Sequence, residues 1–347
     1  MSNLSHIRFL SIGAAVQDVF LHGQIFAAKK AHGELVEQFP LGAKLEMDGI
    51  TFSTGGGATN AAVTFARHGF NSAFMGKIGR DPAGMSVLAD LHQDSVDTKL
   101  IGYSTKYATG YSVLLLAPNG ERTILTYRGA SSYYRRENMP INKIDADWVY
   151  ISSMAGHMDI VGLIIDHANR IGAKVAWNPG KGELAHPEKL AELVKKVEIL
   201  VMNRDEMQVL YPHKRIDTIV KEAIKHTPIV VCTDGPKGAV AGNHEMLVKS
   251  GQYEDVPVID RTGAGDAFAS AFTAIIASGG NLMRAVQFAS ANSTSVVRYI
   301  GAKKGILPKN VRLHDMSMHV VPHKVIVDDA PKPTTNHRTR IMHEPIS

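Results

Sequence analysis

Two aspartates bracket a run of glycines near the end of this chain, Asp260-Arg-Thr-Gly-Ala-Gly-Asp266, and the small, apolar AFASAFTAIIASGG follows. Glycines let a ligand approach the backbone, and the first N–H groups of a helix have no partners within it. A turn of this kind at a helix start cradles an anion. An acid placed there has two readings. Asp266 can simply sit at the positive end of the helix dipole. Alternatively, it takes a proton from a hydroxyl that attacks a phosphate held by Gly263, Ala264 and Gly265, general-base help worth roughly 10²–10⁴-fold. The local pattern leaves both open.

A second glycine cluster, GGGATN, spans Gly55 to Asn60. It approximates the GxGxxG dinucleotide fingerprint, but Asn60 stands in place of the third glycine and no predicted strand of the core directly precedes it. The other reading is a polar rim that bonds the hydroxyls of a small ligand. NRDE puts Asn203 and Glu206 three residues apart, on one helix face. That pair can hold water around Mg²⁺, or it can be a capping box with Asn203 as N-cap. No GxxxxGK[ST] run occurs, which excludes a P-loop NTPase.

These motifs need a frame that brings them together. IRFLSIG, SAFMGKIG, DWVYIS, AKVAWNPG, EILVMN and PIVVCTDG read as strands, and helix patterns alternate with them. Such alternation predicts βαβ units and a mainly parallel sheet covered on both faces. In such sheets ligands bind beyond the carboxyl ends of the strands. NPG, NRDE, TDGPKG and the GAGD turn all fall there. TGYSVLLLAPNGERTILTYR reads as a hairpin around PNGE.

Composition narrows the class. With 44% apolar and 20% charged residues, the 347-residue chain is an ordinary globular protein with a sizeable core. The excess of five basic residues is spread out, which disfavours a nucleic-acid partner. No apolar run reaches membrane-spanning length. The histidines show no HExxH spacing, so a transition-metal site is not expected. One cysteine, Cys232, suits a reducing compartment, and a cytoplasmic protein is expected.

Taken in order, GGGATNAAVTFARHG, GKIGRDPAG, NRDE, TDGPKGA and DRTGAGDAF resemble the ribokinase-like (PfkB) family of carbohydrate and nucleoside kinases over roughly residues 5–310. The resemblance implies a three-layer α/β/α core with a small β-sheet lid. The core is expected at 5–13, 42–102 and 129–315, the lid at 14–41 and 103–128, and a flexible tail at 316–347. It implies transfer of phosphate from ATP to a hydroxyl of a sugar, or of a nucleoside as the alternative; a nicotinamide-dependent oxidoreductase is the more distant reading. Asp266 would be the base, and Gly263, Ala264 and Gly265 the anion hole. Asn203 and Glu206 would position Mg²⁺ and the phosphates. Thr233, Gly235 and Gly238 would lie along the ATP site, with Asn292 near the adenine and Asn178 near the phosphates. Asp18, Gly55, Gly56 and Asn60 would bind the acceptor, with Arg122 or Arg128 reaching in from the lid. Asp260 is the expected contact for a K⁺ ion, and two lids would pair in a homodimer. Ribokinases typically carry lysine at the place of Gly57, and Arg261 is a bulky cation in the loop that holds K⁺ in several relatives.

Overall fold

The computed structural model describes residues 4–31, 33–119 and 121–323. Its largest sheet has nine strands. From one edge they are Met318–Pro322, Met246–Ser250, Ala239–Gly242, Ile229–Thr233, Ile199–Asn203, Lys174–Trp177, Trp148–Ile151, Arg8–Ile12 and Asn71–Met75. Those from Ile229–Thr233 to Asn71–Met75 are mutually parallel, and the other three add antiparallel.

Period-2 alternation within buried strands separates the two faces. Phe9, Trp148, Tyr150 and Val201 pack against helices Gly57–Arg67, Ala264–Ala277 and Leu282–Val296. Leu10, Val149, Trp177 and Met202 pack against Met158–Arg170, Pro187–Leu193 and Ile216–Ala223 on the other face. This is the three-layer α/β/α arrangement. Phe9 stacks on Phe65 with ring centroids 3.9 Å apart. Fully burying a side chain of that size stabilises by about 1.5–3 kcal/mol.

The small residues after GAGD have a packing reason. Ala267, Ala271 and Ala274 are fully or almost fully buried, and Ser270 Oγ lies 2.9 Å from Thr64 Oγ1. Small side chains let helices Ala264–Ala277 and Gly57–Arg67 approach closely. That approach brings the two glycine motifs to one place.

A second sheet of four strands orders Arg122–Tyr127, Gly110–Leu116, Val16–His22 and Gly49–Gly55. Its register aligns Ser53, Asp18, Ser112 and Thr126 in one polar row. The opposite face carries the row Phe52, Val19, Val113 and Leu125, in which Phe52 is 63% and Leu125 58% exposed.

Three sequence expectations shift. Gly49–Gly55 was expected in the core, yet it is an edge strand of the small sheet, paired antiparallel along all of Val16–His22. Its half-polar alternation, ITFSTG, suits a sheet with one wet face. SAFMGKIG is two strands, because Lys77–Gly79 leaves the large sheet to pair with Gly102–Ser104. The break falls at Gly76, where a Cβ would overlap the Phe74 ring and Gly13 O. The tail does not begin at 316: Met318–Pro322 pairs with Met246–Ser250 at the sheet edge, with Val321 and Met318 packed on the two core faces. The remainder of the expected tail, 324–347, lies outside the described residues. Among the described residues no helix is long and apolar enough to cross a membrane.

Candidate active site

Asp266 lies in the first turn of helix Ala264–Ala277, partly buried. Asn60 Nδ2 donates to its Oδ2 at 2.9 Å across 206 residues of sequence. Desolvation raises the Asp266 pKa above the ordinary carboxylate range, and the Asn60 bond only partly opposes it. Gly57 sits beside this pair. A Cβ there would overlap the Ser152 hydroxyl and lie 3.0 Å from Asp266 Oδ1. Ser152 therefore belongs to the site, although sequence reading missed it. Its only signal was its place at the carboxyl end of DWVYIS.

Asp18 approaches the Asn60–Asp266 pair from the small sheet, near enough for the Asp266 charge to act on it. It is 4% exposed, and a Cβ at Gly55 would overlap its Oδ2. Gly56, at φ 101°, would put a Cβ onto the Ala14 carbonyl. These glycines exist for close approach, which is why the motif tolerates no side chain there. Burial is the main reason the Asp18 pKa rises to about 6. Ser112 and Lys303 pull it down, while Asp260 and Asp266 push it up. Among the described residues no hydrogen bond or ion pair joins Arg122 or Arg128 to Asp18, Asn60 or Asp266; Arg128 precedes the turn Gly129–Ser132 and is exposed.

On the far side of the GAGD turn opens a cavity of about 330 Å³. Thr233, Gly235, Gly238, Ala264 and Gly265 line it, as does Arg261. Gly263, the left-handed N-cap at φ 77°, packs on Ala302 instead, where a Cβ would clash. At Gly265, by contrast, nothing stands within 4 Å of where a Cβ would be. The turn thus has a packed side and an open side.

Asn292 does not line this cavity. Its Nδ2 donates to Ala267 O at 2.8 Å and its Oδ1 accepts from Leu307 N at 2.7 Å, fully buried. The helix turns Ser290, Ser293 and Thr294 inward in its place. Spacings of three and four share a face, and position 292 lies off it.

Asn203 and Glu206 form the reciprocal capping box. Asn203 Oδ1 accepts from Glu206 N, and Glu206 Oε2 accepts from Asn203 N, both at 2.9 Å. Strand register places Asn203 beside Thr233. Burial raises the Glu206 pKa. Asn178 Nδ2 donates to Val201 O at 2.8 Å on the next strand. Asp260 is 3% exposed and serves as a brace. Its Oδ1 accepts from Thr262 N and Oγ1 at 2.9 and 2.7 Å, and its Oδ2 from Gly301 N at 3.1 Å.

The family model described as pfkB family carbohydrate kinase matches residues 31–310, more than half of the sequence. The chain belongs to the pfkB carbohydrate kinase family. It is 28% identical over 272 residues to a ribokinase of Bacillus subtilis, covering 76% of this chain and 88% of that one. An ATP-dependent ribose-1-phosphate kinase of Halopiger xanaduensis is 29% identical over 252 residues, covering 69% and 78%. Among solved structures, a putative ribokinase II of E. coli in complex with ATP and Mg²⁺ superposes with a TM-score of 0.73 at 20% identity, over 87% of this chain and 96% of that one. The ribokinase-like fold and a carbohydrate or nucleoside kinase activity follow for this pfkB member. GGGATN follows a strand of the small sheet, so the dinucleotide reading loses its structural context.

Proposed function

We propose that this pfkB kinase transfers the γ-phosphate of ATP to a hydroxyl of an unphosphorylated sugar or nucleoside, with Asp266 as the base. The observation that carries the reading is the 2.9 Å bond from Asn60 to Asp266. It fixes a desolvated carboxylate beside Gly57 and Ser152, and next in the chain to Ala264 and Gly265, which line the cavity. A hydroxyl held by Asp18 and Asn60 would face Asp266 on one side and the incoming phosphate on the other. Phosphoryl transfer needs mainly such positioning and charge neutralisation. Backbone N–H groups of the first helical turn, at Ala264 and Gly265, would meet the transferred phosphate. The 233–238 loop would hold the nucleotide.

Asn203 and Glu206 offer the oxygen donors that a hydrated Mg²⁺ takes, and their capping box fixes both side chains. Mg²⁺, when bound there, would neutralise phosphate charge. The charges around the acceptor pocket favour a neutral acceptor. Asp18 feels Asp260 and Asp266, and the nearby cation Lys303 is ion-paired to Asp90 at 2.7 Å. The exposed Phe52 and Leu125 support pairing of two lids in a homodimer; sedimentation of Phe52→Asp would then show a monomer.

A coupled assay of ADP release with Mg·ATP tests the function across pentoses, hexoses, nucleosides and ribose 1-phosphate. Turnover of a neutral sugar or nucleoside is expected. Silence across the panel would sink the reading, and preference for the phosphorylated sugar would sink the neutral-acceptor part.

A further inference from the structure

We propose that Lys303 is a positioning residue that ties the acceptor lid to the phosphate-binding turn, so that the two ends of the site settle together. The inference rests on the kinase reading above and goes beyond it, because neither motif contains Lys303.

Three consecutive residues, Gly301, Ala302 and Lys303, each touch a different part of the site. Gly301, at φ 88°, donates its N–H to Asp260 Oδ2 at 3.1 Å. A Cβ on it would stand 2.5 Å from Ser53 Oγ of the lid strand. Ala302 fills the space where Gly263 would carry a side chain. Lys303 Nζ donates to Thr54 Oγ1 at 2.6 Å and to Asp90 Oδ2 at 2.7 Å, and Thr54 Oγ1 also donates to Asp90. Its carbonyl accepts from Arg67 Nη1 at 2.7 Å, which holds the segment to helix Gly57–Arg67. One flank of this tripeptide is therefore the 260–263 turn that leads into the phosphate-binding helix. The other flank is Ser53–Thr54, directly before Gly55, over which Asp18 lies.

The Lys303 side chain is 5% exposed. A buried ammonium has few arrangements that satisfy it, since losing one partner leaves an uncompensated charge. An apolar side chain would fill the same space without demanding that the lid strand, helix Pro82–Gln93 and the 301–303 segment meet in one register. The triad of Lys303, Asp90 and Thr54 makes that demand. Movement of the lid strand then displaces the tripeptide, and through Gly301–Asp260 and Ala302–Gly263 it displaces the turn.

Hydrogen exchange on the full chain tests this with the non-hydrolysable probe Mg·AMP-PNP, with binding followed by calorimetry. In the wild type, the probe bound at the turn is expected to slow exchange of residues 49–55 by about 5-fold or more. Lys303→Met should still bind the probe and lose that slowing, and Lys303→Arg should restore part of it. Should Lys303→Met fail to fold, Thr54→Val decides, because it keeps the Lys303–Asp90 pair and removes only the lid contact; it should weaken the slowing. Full slowing in a folded Lys303→Met, or in Thr54→Val where Lys303→Met does not fold, would overturn the proposal. So would a wild type that binds the probe with no change in the lid. A wild type that binds no nucleotide overturns the kinase reading itself, which calorimetry distinguishes from failed coupling.

Discussion

The nucleotide end and the acceptor end of this site are built in different ways. Around the 330 Å³ cavity two glycine-bearing local motifs, the turn at 233–238 and the helix start at 264–265, meet the 251–258 segment and one face of helix Leu282–Val296. Gly235, Gly238 and Gly265 in these motifs have no side chain to present. The acceptor pocket joins Asp18, Asn60, Ser152 and Asp266 from four separate elements, and the Asn60–Asp266 bond alone spans 206 residues. At the nucleotide end the two turns themselves are local, although helix Leu282–Val296 completes the wall. The acceptor end exists only when the lid sheet, helix Gly57–Arg67 and helix Ala264–Ala277 have docked. Single side-chain changes should therefore act strongly at the acceptor end and weakly at the nucleotide end.

The sharpest way to break that contrast is Asp266→Asn. The amide keeps the shape but cannot take a proton. We expect kcat to fall about 10²–10⁴-fold, with nucleotide binding by calorimetry little changed. A variant that keeps most of its rate would remove Asp266 from the chemistry. Next in size is Asp18→Asn. Losing a charged hydrogen-bond acceptor from a buried site costs about 1.5–3 kcal/mol, so the acceptor KM should rise about 10–100-fold. This site also has a pH signature. Asp18 titrates at about 6 because burial disfavours its charge. As pH falls through that value the carboxylate gains its proton, so wild-type kcat/KM for the acceptor should fall below pH about 6. The Asn variant should lack that limb.

Asn60→Ala is expected to act less on rate and more on pH. The Asn60 bond favours the ionised form of Asp266. Without it the base holds its proton to higher pH, and the acid limb of kcat should move upward. A limb that stays in place would mean that Asn60 does not tune the base.

The same contrast explains what could be read from the sequence. GAGD, TDGPKG and NRDE were legible because a turn and a helix start are specified by adjacent residues. The alternation of strands and helices gave the three layers. Ser152 and Lys303 were not legible, since a lone serine and a lone lysine acquire meaning only from what tertiary packing sets beside them. Asn292 was misplaced for a related reason. Its helix was foreseen, but which face met the cavity depended on the docking of Leu307 against it. The strand Gly49–Gly55 was hidden because polar Thr51, Ser53 and Thr54 and two glycines leave it only two apolar residues, and Met318–Pro322 because histidine and proline flank a short apolar pair.

The smallest expected effect is at Gly265, and there its sign matters more than its size. No atom stands within 4 Å of the place its Cβ would occupy, so packing does not require glycine. It lies in the first turn of helix Ala264–Ala277, where alanine keeps a fraction of the about 1 kcal/mol advantage over glycine that it has in a helix interior. Gly265→Ala should therefore raise the melting temperature slightly. If the phosphate rests against this turn, the added methyl intrudes on ligand space that the protein itself leaves empty. The KM for ATP should then rise severalfold while the acceptor KM stays put. Greater stability with weaker ATP binding is the pattern expected of a glycine kept for a ligand. Unchanged ATP kinetics in a stabilised variant would move the anion site away from Gly265 and erase the difference between the two ends.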